Sequence, residues 1–459
     1  MAGKSITMEK GQKFPLTIKR LGIDGEGVGF FKKQVVFVPG ALPGEEAVCR
    51  VEKVGKRFVS ASIVKLRRPS PDRVTAPCPV YDVCGGCQLQ HLSYDGQLQG
   101  KRDLVLQAFE RYTKLPVDRL DIRQTLGMEH PWRYRNKSQM QAGVKNGSVI
   151  TGLYASGSNQ LVDIDTCIVQ HPETDRVTAE VRAAAEEAGV TVYNPKKGTG
   201  FLRTIVVRTG VETGETQLVL VTTEETFPKK EAFLAGIQRR LPGLTSVAQN
   251  INPSKTPIVF GEKTVPIAGK EKITEKLDEL VFELSPRAFF QLNTEQTKVL
   301  YGAAADAASL SGKEKVVDAY CGTGTIGLSL ASGAREVRGM DMNGEAVADA
   351  VENARSSGVA HASFVHGKAE DVLPQWREEG WRPDVIVVDP PRTGLDETFL
   401  KTVAHMAPER FVYISCNPST LAKNTAFLID NGFRLDYVQA VDMFPQTAQV
   451  EAVASFVRK

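Results

Sequence analysis

Two apolar runs in the second half of the chain stop abruptly at polar residues followed by proline. Val385–Val388 runs into Asp389-Pro-Pro, and Phe411–Ile414 runs through one serine into Cys416-Asn-Pro. Short buried strands that end at a proline turn are typical of open parallel α/β sheets, which bind ligands at the carboxyl ends of their strands. We therefore expect a carboxylate and a thiol in one crevice. A free cysteine by itself is more often an inert core residue, so the interpretation depends on both strand ends together.

Length and composition place the chain among multi-domain globular proteins. Its 459 residues can form two or three hydrophobic cores, and 42% hydrophobic with 24% charged residues is average for soluble proteins. No run approaches the roughly 20 apolar residues of a membrane span. The segment Met1–Lys13 carries three lysines and lacks the apolar core of a secretory signal. These features predict a cytoplasmic protein that does not associate with membranes.

Positive charge is concentrated at the amino terminus. Residues 1–73 contain fifteen Lys and Arg against seven Asp and Glu, whereas the whole chain has a net charge of only +3. The rest of the chain is therefore mildly acidic. A basic module of this kind favours contact with a polyanion such as RNA, although many charge runs are simply solvated surfaces.

Five short β-type runs follow one another within that basic segment. They are Phe14–Ile18, Val28–Phe31, Val35–Val38, Ala47–Val54 and Phe58–Ile63. We place the glycines between them in turns, namely Gly22, Gly25, Gly27, Gly29, Gly40, Gly44 and Gly55. Such closely spaced strands predict a small barrel of the oligonucleotide-binding kind. Lys65–Pro71 then predicts a basic, extended linker with a domain boundary near residue 70.

Three cysteines follow this boundary at spacings of six and three, at Cys78, Cys84 and Cys87. A disulfide framework is not expected in a large chain without an export signal, so metal or iron-sulfur ligation is the better interpretation. We choose Cys167 as a fourth ligand, because the other cysteines lie in a barrel strand, a glycine turn and the strand end described above. Four thiolates suit either structural zinc or a 4Fe-4S cluster. Unligated cysteines are the remaining alternative.

The middle of the chain, residues 126–285, is rich in β-type runs, including Thr204–Arg208, Gln217–Val221 and Ser246–Ile251. A string of basic and aromatic residues at Trp132–Lys137 stands out. Such side chains pair with phosphates and stack on unpaired bases, as in proteins that hold single-stranded RNA. The same string also suits an amphipathic strand that buries Trp132 and Tyr134, and the two interpretations are compatible.

Strands alternate with helices from residue 286 onward, which predicts a parallel, doubly wound sheet. A strand at Lys315–Asp318 leads into a glycine turn that ends at Gly327, and a helix follows. A second strand ends at Asp341, 23 residues after Asp318, where an acid accepts hydrogen bonds from ribose hydroxyls in such sheets. NAD and S-adenosylmethionine both suit this arrangement. The residues between Asp318 and the turn, and the later Asp-Pro-Pro, favour the methyl donor.

In this order, the segments resemble those of the RNA 5-methyluridine methyltransferases over nearly the whole chain. Besides the barrel and the cysteines, the matching segments are Tyr134–Lys137, Phe289–Asn293, Asp318–Gly324, Asp389–Arg392, Ser415–Pro418 and Asp442–Thr447. The resemblance implies a multi-domain fold of three parts. They are an oligonucleotide-binding-like TRAM barrel at 1–68, a mixed α+β central iron-sulfur domain at 69–91 and 126–285, and a doubly wound α/β S-adenosylmethionine-dependent methyltransferase domain at 92–125 and 286–459.

The resemblance also implies an activity, which is methylation of uracil C5 in RNA by S-adenosylmethionine. Cys416 matches the thiolate that adds to uracil C6, and Glu451 matches the base that removes the C5 proton. The cofactor residues carry over to Gln291, Tyr320, Asp341 and Asp389. The ligands of a 4Fe-4S cluster carry over to Cys78, Cys84, Cys87 and Cys167. Because barrel and cluster occur together, we expect 23S ribosomal RNA as the substrate, and a monomer that needs no obligate protein partner.

Two positions depart from the usual family pattern. Asp341 stands where Glu is common, and Gln449 stands where His commonly precedes the base by two residues. Three other functions stay open at this point. A tRNA uridine-5 methyltransferase would use the same chemistry. A cytosine C5 enzyme would ordinarily carry Pro-Cys where this chain has Asp-Pro-Pro, and a non-enzymatic iron-sulfur RNA-binding factor in ribosome assembly would bind RNA without consuming the methyl donor.

Overall fold

The structure is a computed structural model that describes residues 8–459, so the first seven residues of the predicted barrel segment 1–68 lie outside the described residues. Along the described chain, a closed barrel is followed by a seven-stranded sheet, a two-stranded hairpin and a second seven-stranded sheet. The predicted fold class, a small barrel, a mixed α+β centre and a doubly wound α/β part, is confirmed. The domain boundaries themselves stay a prediction.

The barrel closes in the strand order β1-β2-β3-β5-β4. Its strands are β1 (Lys13–Leu21), β2 (Gly27–Phe31), β3 (Gln34–Val38), β4 (Glu46–Val54) and β5 (Phe58–Arg68). Alternate residues of these strands point inward, as period-two packing requires. They form an apolar core that includes Phe14, Val36, Cys49 and Val59. The helix α1 (Tyr94–Tyr112) follows the barrel along the chain.

Two expectations for the barrel segment are wrong. Gly27 and Gly29 lie in β2 rather than in a turn. Glycine is needed at both positions because a Cβ atom there would approach a backbone oxygen of the barrel within 2.7 Å. The residues Lys65–Arg68 are the last part of β5, where Arg68 pairs with Glu46, and so they are no linker. The chain leaves the barrel at Ser70, whose amide donates to the buried carboxylate of Glu45.

The central sheet has the strand order β12-β11-β10-β9-β6-β7-β8. Its strands are β6 (Lys137–Lys145), β7 (Ser148–Tyr154), β8 (Leu161–Asp163), β9 (Leu202–Thr209), β10 (Thr216–Thr222), β11 (Ser246–Ile251) and β12 (Lys263–Gly269). Two helices, α2 (Pro172–Ala188) and α3 (Lys230–Arg240), supply apolar side chains such as Val177, Val181 and Phe233 to one core with the sheet. The three β-type runs read from the sequence fall within β9, β10 and β11.

The string Trp132–Lys137 is a loop that enters the central sheet, not an amphipathic strand. β6 begins only at Lys137, and Arg133 has a left-handed backbone with a φ of 58°. Tyr134 is buried as expected, and its hydroxyl donates to the carbonyl oxygen of Pro445 at 2.9 Å. The string therefore ties the central sheet to the carboxyl-terminal part of the chain, and contact with RNA at this place stays a prediction.

The second seven-stranded sheet has the order β17-β16-β15-β18-β19-β21-β20. After the hairpin of β13 (Ile273–Leu277) and β14 (Leu280–Leu284), its strands are β15 (Lys315–Ala319), β16 (Glu336–Asp341), β17 (Ala362–His366), β18 (Val385–Val388), β19 (Arg410–Ser415), β20 (Phe433–Val441) and β21 (Glu451–Arg458). β15 to β19 are parallel, and β20 and β21 are antiparallel to their neighbours. Because the strand order reverses between β15 and β18, a crevice opens there at the carboxyl ends of the strands.

The helices of this part are α4 (Thr294–Ala308), α5 (Thr325–Leu330), α6 (Gly344–Ser356), α7 (Ala369–Glu378), α8 (Glu397–Met406) and α9 (Pro418–Asp430), with single 3₁₀ turns at Val117–Arg119 and Ala331–Gly333. They cover both faces of the sheet with two apolar cores. α1 joins one of these cores through Val105, Ala108 and Phe109 and packs on α9. Among the described residues, no helix is long and apolar enough to cross a membrane.

Candidate active site

Five of the predicted site residues lie at one edge of the second sheet. Tyr320 directly follows β15, Asp341 ends β16, Asp389 follows β18 and Cys416 follows β19. Glu451 is the first residue of β21, which runs in the opposite direction. The carboxyl ends of the parallel strands and the amino end of β21 therefore meet at the same edge, on both sides of the point where the strand order reverses.

Cys416 and Glu451 are brought together by strand register. Ser415 of β19 pairs with Ala452 of β21, so the thiol and the carboxylate stand one residue beyond this pair on neighbouring strands. Cys416 is half-buried, whereas Glu451 is only 6% exposed. The arrangement presents a partly accessible nucleophile beside a buried acid.

The loop after β18 is fixed to the loop after β19. Asn417 caps α9, since its side-chain oxygen accepts from the amide of Ser419 at 3.0 Å. Its side-chain amide donates to the carbonyl oxygen of Arg392, also at 3.0 Å. Pro418 stands at the start of the helix, where its missing amide proton costs nothing. The turn that presents Cys416 is therefore held to the Asp389–Arg392 segment.

The Cys416 thiol is kept protonated in the free protein. Burial, with smaller contributions from the neighbouring Glu451 and Asp389 side chains, raises its pKa to about 11, although the Arg392 guanidinium opposes this shift. Arg392 is exposed and belongs to the Asp389–Arg392 segment. Its electrostatic role was not assigned from the sequence, although its position directly after Asp-Pro-Pro is the signal that points to it.

The two carboxyl groups beside the thiol also favour their neutral forms. Burial raises the pKa of Asp389 to about 7. Burial, followed by repulsion from Asp389, raises the pKa of Glu451 well above its ordinary value, and Arg392 opposes this effect. A raised pKa brings the proton exchange of a carboxyl group closer to neutral pH, as general acid–base catalysis requires. The cluster suits chemistry in which protons move to and from a bound ring.

The turn after β15 is shaped by an unusual backbone conformation. Tyr320 has a φ of 66°, and its ring packs edge-on against Phe399 at 5.5 Å. The Asp341 carboxylate accepts from the amide of Gly322 at 3.0 Å and from the amide of Asn343 at 2.8 Å. Asp341 therefore links the ends of β15 and β16 while remaining partly exposed to the crevice.

Asp318 is a further acid of this turn that was not counted among the site residues. It is completely buried, and one carboxylate oxygen accepts from the amide of Gly327 at 2.7 Å. Its other oxygen has no hydrogen-bond partner among residues 8–459. Burial raises the pKa of this carboxyl group to about 7. An unpaired buried oxygen beside a glycine turn fits a ligand that brings a hydrogen-bond donor or a positive charge.

Gln291 lies on the segment that leads into α4 and is buried. Its backbone oxygen accepts from the side chain of Asn136 at 2.9 Å, and Asn136 also donates to Thr294. The next residues continue the contact, because the amide of Asn136 donates to the carbonyl oxygen of Leu292. The central sheet therefore fixes the segment that carries Gln291.

The four predicted cluster ligands surround one small cavity of about 30 Å³. Cys78, Cys84, Cys87 and Cys167 all line it, together with Arg135, Leu153 of β7 and apolar residues of neighbouring loops. Burial raises the pKa of Cys87 to about 11, with smaller contributions from the neighbouring thiols of Cys167 and Cys84 and an opposing one from its hydrogen bond with Gln90. Cys167 is held by its amide, which donates to the Asp175 carboxylate at 2.9 Å.

The structure brings these thiols to one place without forming a site for a single ion. Within residues 8–459, no three side chains of the types His, Cys, Asp or Glu are arranged to hold a metal ion. Metal or iron-sulfur binding is therefore not shown, and it stays a prediction. The two cysteines assigned to packing are buried: Cys49 in β4 and Cys321 in the glycine turn.

The chain matches known protein families and relatives. The model of the family described as tRNA (Uracil-5-)-methyltransferase matches residues 254–459, and the TRAM domain model matches residues 8–64. The chain is 56% identical to an uncharacterized RNA methyltransferase of Bacillus cereus, with 98% of each chain covered. It is 55% identical to another from Halalkalibacterium halodurans, covering 98% of this chain and 97% of that one.

A solved structure is similar over the whole length. The Pyrococcus abyssi tRNA (uracil-54, C5)-methyltransferase in complex with S-adenosyl-L-homocysteine is 31% identical, with a TM-score of 0.76 and coverage of 97% of this chain and 100% of that chain. Fold and site thus define an S-adenosylmethionine-dependent RNA methyltransferase with an amino-terminal TRAM barrel. The chain belongs to the RNA uracil-5 methyltransferase family. This confirms the resemblance read from the sequence.

Proposed function

We propose that this enzyme methylates uracil C5 in 23S ribosomal RNA through a covalent adduct between Cys416 and uracil C6, with Glu451 as the base that removes the C5 proton. The observation that carries the proposal is the register that places Cys416 and Glu451 on neighbouring strands beside Asp389. Uracil C5 is a weak nucleophile, so the methyl donor alone is not enough. A neighbouring thiol can add to C6 and make C5 electron-rich, and a base can remove the C5 proton afterwards.

The first step is addition of the Cys416 thiolate to C6 of the uracil ring. The sulfur–carbon bond forms while the electron pair of the C5–C6 double bond moves toward C5 and the C4 oxygen, which gives an enolate. Because the thiol is protonated in the free protein, its proton must pass to water as the ring binds and the sulfur adds to C6. The Arg392 guanidinium favours the thiolate and the developing negative charge on the ring.

The second step forms the carbon–carbon bond at C5. S-adenosylmethionine supplies the methyl group: the bond from its sulfonium to the methyl breaks, the electron pair stays on sulfur, and S-adenosylhomocysteine leaves. C5 then carries both a hydrogen and a methyl group. Glu451 takes the C5 proton, the C5–H electron pair restores the double bond, and the bond from C6 to the Cys416 sulfur breaks. The Cys416 thiolate is regenerated and 5-methyluracil is released as the product. Glu451 then gives up its proton and the thiolate takes one up, which restores the starting state.

The methyl donor would be held at the ends of β15, β16 and β18. Asp341 would accept hydrogen bonds from ribose hydroxyls, and Tyr320 would cover the adenosine or methionine portion. Gln291 and Asp389 would fix the polar ends of the ligand. The unpaired oxygen of Asp318 supports this assignment, because the donor's ammonium group is the kind of partner that a buried carboxylate needs.

The four cysteines would hold a 4Fe-4S cluster that clasps the central sheet. Their thiols line one small cavity, and four thiolates are the usual ligand set of such a cluster. The cluster would hold the segment around Cys78 and Cys87 to the loop that carries Cys167. The methyl transfer needs no electrons, so this role is structural.

The choice of ribosomal RNA over transfer RNA comes from the family resemblance, which pairs a TRAM barrel and an iron-sulfur cluster with the enzymes that modify 23S ribosomal RNA. The barrel alone does not separate the two substrates, since the archaeal tRNA enzyme aligns with 97% of this chain. In either RNA, the target C6 atom is inaccessible within a stacked helix. We therefore expect the uridine to lie in a loop and to turn out of its stack into the crevice.

The substrate is tested by mass spectrometry of RNA from a strain that lacks this protein. We expect loss of 5-methyluridine from 23S ribosomal RNA with unchanged tRNA, and restoration by the wild-type gene. Restoration should fail with Cys416→Ala. Loss of 5-methyluridine from tRNA alone would show that tRNA, and not ribosomal RNA, is the substrate. Unchanged modification of both, with RNA binding retained, would favour the non-enzymatic assembly factor.

A further inference from the structure

The loop between β20 and β21 carries Glu451 at its end. We call residues 442–450 the base loop. Val441 pairs with Glu451 across the two strands, so the beginning and the end of the base loop lie side by side. Gln449 stands two residues before Glu451, where the family commonly has His, and its side chain is exposed. The orientation of Glu451 must therefore come from the way the rest of this loop is held.

The beginning of the base loop is fixed by two side chains of α1. The Asp442 carboxylate is completely buried and accepts from the Lys101 ammonium and from the Tyr94 hydroxyl, the latter at 2.9 Å. Lys101 is itself completely buried, and it also donates to the carbonyl oxygen of Phe444 at 3.1 Å. One lysine therefore contacts the loop both at its first residue and two residues further along.

The tip of the base loop is fixed by a third side chain of α1. Gln446 has a left-handed backbone with a φ of 70°, which is strained for a residue other than glycine. Gln97 compensates with two hydrogen bonds: its oxygen accepts from the Gln446 amide at 2.9 Å, and its amide donates to the Gln446 side-chain oxygen at 3.0 Å. Both glutamines are buried.

Tyr94, Gln97 and Lys101 have the spacing of one helix face. The helix that presents them also packs on α9, which begins two residues after Cys416. α1 therefore touches both the base loop and the helix that follows the nucleophile, although the chain positions involved lie more than 300 residues apart. A helix in this place can set the geometry between the two catalytic groups.

We propose that Lys101, Gln97 and Tyr94 are positioning residues that hold the base loop so that Glu451 reaches the C5 proton of the uracil adduct. This inference rests on the proposed function. Burying an ion pair such as Lys101 with Asp442 is expensive in desolvation, and apolar replacements of such pairs are often equally stable. Stability alone therefore does not explain why polar groups stand here, whereas directional hydrogen bonds to one loop do.

The test is the variant Gln97→Met, compared with Gln99→Met as a matched control. Gln99 lies on the exposed side of the same helix, and among the described residues its side chain bonds only to Asp103 of that helix. With an RNA fragment and the methyl donor, the fraction of enzyme trapped as covalent RNA adduct is measured on a denaturing gel, alongside turnover and RNA affinity. Gln97→Met should lower turnover by about 100-fold and raise the trapped adduct at least about tenfold, with unchanged RNA affinity. Gln99→Met should match the wild type.

A second variant replaces the ion pair as a whole. Lys101→Met/Asp442→Leu keeps a filled, apolar site, so the protein is expected to fold, yet it should accumulate adduct as Gln97→Met does. Parallel loss of adduct and turnover, or no change in either, would overturn the positioning role.

The reference is Glu451→Gln, in which the base itself is disabled. If Glu451→Gln fails to accumulate adduct, the proposed function is wrong and the positioning role falls with it. If Glu451→Gln accumulates adduct but the α1 variants do not, the positioning role alone is wrong. The two failures are thus separated in one set of gels.

Discussion

Cys416 and Glu451 stand one residue beyond the pair that Ser415 and Ala452 form between β19 and β21. This relationship depends on two features of the sheet. The strand that carries Glu451 is antiparallel, so its amino end reaches the edge where the parallel strands have their carboxyl ends. It is also inserted between β19 and β20, which makes it a direct neighbour of the strand that presents the thiol.

Replacement of the nucleophile should abolish activity while leaving the fold intact. Cys416→Ala removes the thiol from a half-buried turn, and we expect turnover to fall by about 10⁴-fold or more, because a covalent route is lost. Methylation is measured with labelled donor under single-turnover conditions.

The matched control for this substitution is Cys49→Ala in the barrel. The pKa of Cys49 is also raised to about 11 by burial, but the residue lies in β4, far from the crevice along the chain. The Cys49→Ala variant should retain activity within about twofold of the wild type. Comparable losses in both variants would show that thiol removal acts through stability, and would contradict the role of Cys416.

The rate of adduct formation should rise with pH. The thiol pKa of about 11 leaves only a small thiolate fraction at neutral pH, and this fraction grows by up to about tenfold for each pH unit between 7 and 10. The raised pKa of Glu451 acts in the same direction on the later step, since more of it becomes a base as pH rises. The measurement is kcat/KM for RNA as a function of pH.

Arg392 sets where this rise occurs. Arg392→Gln removes the charge that lowers the thiol pKa, so the profile should shift to higher pH and the rate at pH 7 should fall, while Arg392→Lys should restore most of it. A rate that is flat or falls with pH in the wild type would contradict a protonated resting thiol.

Cofactor affinity should depend on Asp341. Asp341→Asn keeps the size of the side chain but replaces one acceptor oxygen with a donor, so we expect KM for S-adenosylmethionine to rise about 10- to 100-fold with little change in RNA affinity. The matched control is Asp384→Asn. Asp384 likewise accepts a backbone amide, from Lys315 at 2.8 Å, but at the opposite end of the sheet. An equal rise in KM for both variants would contradict a role of Asp341 in cofactor binding.

Barrel stability should depend on the glycine inside β2. Gly29→Ala places a methyl group 2.7 Å from the backbone oxygen of Thr17, so we expect a loss of about 1–3 kcal/mol in the free energy of unfolding of the barrel. Gly302→Ala in α4 is the control, because its methyl group meets no atom within 4 Å and alanine favours a helix by about 1 kcal/mol. Urea denaturation distinguishes the two, and a stable Gly29→Ala variant would contradict the close approach.

The fold could be predicted from the sequence where the signals were local. The strand ends at Asp389 and Cys416 were visible because an apolar run, a polar residue and a proline stand next to one another. The glycines of β2 were misplaced into turns, because a strand that needs glycine for close packing looks like a turn until its neighbour is known. The residues Lys65–Arg68 were assigned to a linker for the same reason, since their pairing partner lies in β4.

The site was only partly accessible to the same reasoning. Glu451 has no local signal and came from the family resemblance. The contacts of Lys101 with Asp442 and of Gln97 with Gln446 join positions 341 and 349 residues apart, and nothing in either segment names its partner. Asp318 was read as part of a motif, but its unpaired oxygen depends on the packing around it.

The central claim is tested most directly with RNA that carries tritium at C5 of uracil. If Cys416 adds to C6 and Glu451 removes the C5 proton, each methyl group transferred should release one tritium into water, and Cys416→Ala should release none. Methyl transfer to this RNA without release of tritium would contradict the account.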